Sequence, residues 1–110
     1  MIVVRIFRNH SGIIQSFKIK GHAKYAKAGK DIVCAGVSAI TVGTVNSIET
    51  LTGITLNCGM HNGFLSGDIP LIEDVSIANN VQLLLESMLV MLNNIAESYG
   101  KYISIEEVIL

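Results

Sequence analysis

Two residues in this chain have the types and the spacing to do covalent chemistry together. Cys34 follows Asp31 by three positions, and His22 precedes the cysteine by twelve. Asp31 has the type and the place of a helix N-cap before Ile32-Val33-Cys34-Ala35, which makes the cysteine the third residue of the expected helix. Free backbone N–H groups and the positive end of the helix dipole favour a thiolate there. Such a setting can lower a thiol pKa from about 8.5 toward about 7 or below. An imidazole folded back onto that sulfur completes the nucleophile-and-base pairing of a cysteine hydrolase. The N–H groups of Cys34 and Ala35 would then be natural donors to an oxyanion. Ser38, one helical turn further along the same face, is placed to hydrogen-bond the pair or a substrate.

The residue types alone leave plainer readings open. Free cysteine is among the most buried residue types, so Cys34 is equally at home as packing. Asp31 is then simply a cap, and Ser38 a helix-packing residue. A second thiol forms the local pair Cys58-Gly59-Met60-His61, which with His22 and Cys34 makes a Cys₂His₂ set on paper. Structural zinc sites draw closely spaced ligands from two local knuckles, and here only one pair is local, so no metal is expected. No glycine-rich phosphate loop or acidic cluster is present either, and no cofactor is expected.

These side chains must be positioned by a small set of elements. Met1–Arg8 is rich in β-branched residues and reads as a strand, closed by the turn signal Asn9-His10-Ser11-Gly12. Ile13–Lys20 alternates and suits a second strand paired back as a hairpin. Gly21–Lys30 carries no sustained period. It is expected to be a mobile loop with at most one helical turn around Ala23–Ala28, and with Gly21 and Gly29 as hinges that let His22 close over a bound peptide. From Asp31 to Thr52 the stripe Val33, Val37, Ile40, Thr44, Ile48, Leu51 marks a helix ended by Gly53. Ala35, Gly36, Ala39, Gly43 and Ser47 on the opposite side predict that it is buried on most sides. Ile54–Met60 and Phe64–Ile69 flank an Asn62-Gly63 hairpin signal. A long helix is expected over Asn79–Tyr99, with Asn79 and Gln82 as a capping box, and Tyr102–Leu110 as an edge strand. The order ββαββαβ predicts an α+β domain of two layers, a mostly antiparallel sheet with two main helices on one face.

Length and composition agree with one domain spanning residues 1–110: half of the residues are hydrophobic and 15% are charged. The mean hydropathy of +0.52 is high. The longest apolar run, Val81–Leu92, nevertheless holds Gln82, Glu86 and Ser87, where a membrane span needs about 20 apolar residues, and no membrane association is expected. Met1–Phe7 lacks the pattern of a secretory signal, so a cytoplasmic setting with reduced cysteines is expected. The net charge of −1 conceals an asymmetry, because seven of the eight Lys and Arg residues lie in positions 1–30 and all nine acids follow from Asp31 onward. That basic edge could meet nucleic acid or an acidic partner, although it lacks the interleaved aromatics of single-strand binders.

The block G-H-A-x-Y-A-x-x-G-x-D-I-V-C-A-G-V-S-A-I, residues 21–40, resembles the signature of the bacterial ribosomal-processing cysteine protease family, Prp. The likeness continues in Gly43, Val45 and Asn46 and in Leu84–Val90, and no departure occurs within the block. The resemblance implies a homodimeric cysteine endopeptidase that removes the N-terminal extension of a large-subunit ribosomal protein, cutting after an aromatic residue and before a small one. It places the catalytic histidine and cysteine on His22 and Cys34, with Asp31 and Ser38 in support. Nucleic acid is not required for that activity. Two readings of other classes stand beside it: a non-catalytic module that binds ribosomal protein or RNA through the basic edge, and a homodimeric interaction domain with an inert cysteine.

Overall fold

Ile2, Val4 and Ile6 alternate with the half-exposed Val3, Arg5 and Phe7, and that alternation faces strand β1 (Ile2–Arg8) onto a core. In the computed structural model, which describes all of residues 1–110, six further elements follow: β2 (Ile14–Lys20), α1 (Ile32–Thr52), β3 (Asn57–His61), β4 (Phe64–Asp68), α2 (Val75–Tyr99) and β5 (Ile103–Ile109). The strands form one sheet in the order β3-β4-β2-β1-β5, antiparallel throughout except for the parallel pairing of β1 with β5. This is the expected ββαββαβ architecture. Asn9 shapes the first hairpin, its side chain accepting from the N–H groups of Ser11 and Ile13. A bulge at Phe7/Arg8 then breaks the strict alternation of β2, so that Ile14 and Phe17 both reach the core although they are three residues apart.

Both helices lie on one face of the sheet. Val33, Val37 and Ile48 of α1 and Val81, Leu85, Met88, Leu89 and Leu92 of α2 share a single hydrophobic cluster with the β1 and β2 side chains and Ile103. The stripe expected for α1 holds at its centre but not at its end, since Leu51 is 72% exposed and Thr41 is buried in its place. Nor is the helix buried on most sides. A Cβ at Gly43 would meet nothing within 4 Å, and one at Gly36 would only touch Ile95 at 3.4 Å, so neither glycine is required for close packing within this chain.

Two boundaries and one cap differ from expectation. Helix α2 begins at Val75, because Asp74 caps it by accepting from the Ile77 N–H. In its first turn Val75 and Ser76 are exposed and Ile77 only half-buried, so full burial starts at Val81. Gln82 serves no capping box; its carboxamide accepts from the Ile14 N–H and donates to the Ile14 carbonyl, clamping the start of β2 onto α2. Strand β3 begins at Asn57, with Ile54–Leu56 as an incoming segment whose Leu56 is buried. By length and hydropathy α1 and α2 are each long and apolar enough to cross a membrane, contrary to the expectation from the run Val81–Leu92. Here each turns its buried stripe to the sheet as a core helix.

Candidate active site

Helix α1 starts where Asp31 permits it to start. The Asp31 carboxylate accepts from the N–H groups of Val33 and Cys34 at 3.0 Å through one oxygen. Its other oxygen accepts from Tyr25 at 3.0 Å and Ala26 at 3.4 Å. One side chain therefore caps the helix and pins the preceding loop to it. These four amides, that of Cys34 foremost, hold the Asp31 carboxyl below its ordinary range. Cys34 is the third helical residue, half-buried, and its Sγ accepts from the backbone N–H of Ala23 at 3.3 Å. The residue adjoining His22 is thus bonded to the thiol itself.

His22, Cys34, Ser38 and Asn62 together border two cavities that share these four residues in their walls. One, of about 280 Å³, is a cleft between α1 and the sheet lined by Ile2, Ile19, Val37, Met60, Phe64 and Leu65. The other, of about 610 Å³, opens under the loop and is lined by Lys24, Gly29, Asp31 and Ala35. A thiol in the walls of both can meet an extended chain that places one apolar side chain in the cleft and passes its backbone under the loop. The structure places His22 and Cys34 in the walls of the same two cavities.

Residues 1–104 match the family described as cysteine protease Prp. The chain belongs to the Prp cysteine protease family. It is 39% identical over 101 residues to the ribosomal processing cysteine protease Prp of Bacillus subtilis (strain 168), covering 90% of each chain. To the protein of the same name from Staphylococcus aureus (strain Mu50 / ATCC 700699) it is 38% identical over 106 residues, covering 94% of this chain and 95% of the other. The crystal structure of the essential S. aureus ribosomal processing protease Prp with a covalently linked product peptide superposes with a TM-score of 0.86 at 34% identity, covering 97% of this chain and 99% of that one. The same protease with a substrate peptide gives 0.82 at 32% identity, with the same coverage. Membership makes this chain a cysteine protease of the ribosomal-processing family and sets aside both non-catalytic readings.

Within this Prp chain three sequence expectations need correction. The amides of Cys34 and Ala35 are not open to an oxyanion, because the first donates to the Asp31 carboxylate and the second to the Asp31 carbonyl at 3.0 Å. A good N-cap consumes the donors that a bare helix terminus would offer. Gly21 is not a free hinge. Its N–H donates to the Gly63 carbonyl at 2.8 Å, and a Cβ there would stand 2.3 Å from the Met1 carbonyl oxygen. Gly29, at φ +84°, has open space around it. Nor does Ala23–Ala28 form a helical turn; the one turn in the loop closes from the Lys30 N–H to the Lys27 carbonyl. Tyr25 packs edge-on against Tyr99 and Tyr102, at centroid distances of 5.6 and 5.1 Å.

The second thiol is differently placed. Cys58 lies exposed on the edge strand β3, where desolvation by its neighbours and then the charge of Asp68 raise its pKa. His61 stacks on Phe64 at 6.3 Å and lines the apolar cleft. Sequence reasoning missed Asn62 and Gly63 as members of the site. Their Asn-Gly signal announces a hairpin, but nothing local says where its tip will lie.

Proposed function

We propose that this protease removes the N-terminal extension of a large-subunit ribosomal protein in the cytoplasm, with Cys34 as nucleophile and His22 as its base. The observation that carries this reading is that His22 and Cys34 line the same two cavities, the cleft against the sheet and the space under the loop, inside the block of residues that resembles the family signature. In the proposed route the imidazole takes the Sγ proton and the thiolate adds to the scissile carbonyl carbon. The C–N bond then breaks as His22 returns that proton to the departing amine, and water hydrolyses the thioester. The peptide found covalently linked in the S. aureus relative supports a covalent route. Asp31 supports the pair by holding the helix terminus and the loop in one arrangement. With the Cys34 and Ala35 amides occupied, the oxyanion would draw its donors from the side chains bordering the same space, the Ser38 hydroxyl and the Asn62 carboxamide.

The apolar cleft, lined by Phe64, Leu65 and Met60, suits a large apolar residue on the acyl side of the cut bond. The resemblance also implies a homodimer. In support, Leu83, Val90 and Met91 are exposed on α2, and Met91 lines a groove with the small residues Ala39, Gly43 and Ser47 of α1 and Ser87 of α2. Nucleic acid has no part in the proposed reaction. The test is incubation with a synthetic peptide spanning the extension and the mature start of the ribosomal protein, followed by mass spectrometry. One cut by the parent and none by Cys34→Ala or His22→Ala is the expected result. Cleavage by purified Cys34→Ala would remove Cys34 as nucleophile.

A further inference from the structure

The tip of the β3–β4 hairpin approaches the loop that carries His22. A Cβ built on Gly63 would lie 2.6 Å from His22 Nε2, 3.1 Å from Cε1 and 3.2 Å from Cδ2. The imidazole therefore rests on the bare Cα of Gly63, closer than any side chain permits. The same glycine accepts from the Gly21 N–H at 2.8 Å, fixing the backbone immediately before the histidine. On the other side, the Ala23 N–H is bonded to Cys34 Sγ at 3.3 Å, and Ala23 is buried. Gly21, His22 and Ala23 are thus each held, in turn, by the Gly63 carbonyl, the Gly63 Cα and the thiol.

We infer that Gly63 is a positioning residue for catalysis: the β3–β4 turn is the seat that sets the imidazole of His22 against Cys34. The inference rests on the proposed dyad and goes beyond it, because it assigns a role to an element outside the signature block. Gly63 meets two independent demands, a φ of +72° that L side chains rarely adopt and the absence of a Cβ under the ring. A methyl group there collides with the far edge of a mobile side chain rather than with backbone. The fold can yield by swinging His22 away, and what is lost is the geometry of the dyad.

Gly12 supplies the matched control, with φ +82° and nothing within 4 Å of its Cβ position. Gly63→Ala is expected to lower kcat by about tenfold or more with KM within about threefold, the signature of a displaced catalytic group rather than lost binding. The pH profile of Cys34 alkylation should move to that of His22→Ala, whereas Gly12→Ala should stay within about twofold of the parent. A Gly63→Ala protein with parental kcat and parental alkylation profile would overturn the inference. Should that variant prove too unstable to assay, NMR of the parent protein decides. Cross-relaxation between Gly63 Hα and the His22 ring, and a Gly63 shift that follows the titration of His22, support the seat; their absence removes it. If His22→Ala itself cleaves and alkylates as the parent does, the dyad reading fails and the seat loses its function with it. Loss in His22→Ala with none in Gly63→Ala removes the present inference alone.

Discussion

Cys34 and Cys58 share a chemistry and differ in surroundings. Cys34 is half-buried and accepts a backbone hydrogen bond at the start of a helix, whereas the exposed Cys58 has its thiol pKa raised by desolvation and then by the neighbouring Asp68 carboxylate. Iodoacetamide near neutral pH should therefore label Cys34 well ahead of Cys58, read by peptide mapping, and Cys58→Ser should retain most of the cleavage activity. Equal labelling of the two thiols would count against a specially activated Cys34. Asp31 is the other residue whose surroundings decide its role, with four amides on one carboxylate. Asp31→Ala should lower the unfolding temperature and reduce cleavage by about tenfold or more, since loop and helix terminus lose their common anchor. The sign of its pH dependence follows from its depressed folded pKa. The stabilisation is present above the unfolded pKa and is lost as pH falls through the folded one, so the gap between parent and variant should narrow on acidification.

At the scale of elements, Arg8 ties three pieces together. It donates to Glu86 of α2 at 2.7 and 2.8 Å, to Glu107 of β5 at 2.8 Å and to the Gly12 carbonyl in the first hairpin at 2.9 Å. The pairing raises the Arg8 pKa, through Glu86 first and Glu107 second, and lowers that of Glu86. The Arg8 side chain is 15% exposed but its partners are 44% and 48% exposed, so solvent weakens the network. Arg8→Gln should cost about 1 kcal/mol in urea denaturation, less in high salt. Because the Glu86 pKa is depressed on folding, its share is present above the unfolded value and fades as pH falls through the folded one. Arg5 is likewise paired with Glu106 at 2.8 Å. The basic segment that looked free in sequence thus reduces to the exposed lysines 18, 20, 24, 27 and 30.

At the scale of the molecule, the helical layer is covered by the sheet on one side only. Leu83, Val90 and Met91 stand 69%, 60% and 38% exposed on the far side of α2. Met91 borders a groove against α1 lined by the small residues Ala39, Gly43 and Ser47, and a Cβ at Gly43 would meet nothing within 4 Å. A second copy seated there would explain why the glycine at 43 meets nothing in the isolated fold. Sedimentation equilibrium should report twice the chain mass at micromolar concentration. Met91→Asp, which places a charge in the groove, should shift the equilibrium toward monomer by about tenfold or more in Kd. A parent that sediments as a monomer at every concentration would remove the dimer.

Periodicity and caps are local, and they are what this sequence determines by itself. The β-branched alternation of β1, Asp31 before Ile32-Val33-Cys34 and Gly53 after Thr52 each announce an element from a few neighbouring residues. With the order of those elements they are enough for the architecture, whereas the spacing in residues 21–40 offers His22 and Cys34 only as candidates, and the resemblance to the family signature is what favours them over packing. The start of α2 was hidden because its first turn offers only the half-buried Ile77 to the core and leaves Val75 exposed, and Gln82 misled because its partner, Ile14, is 68 residues away. The same limit separates the remaining site features. An N-cap can be read from its residue type, but the fact that it consumes the Cys34 and Ala35 amides follows only from geometry. Asn-Gly reads as a turn, but the sheet order β3-β4-β2-β1 is what carries that turn beside the end of β2 and under the imidazole that follows it. Contacts between elements distant in the chain leave no local pattern, since either partner alone is compatible with many positions, and only the packed sheet selects one.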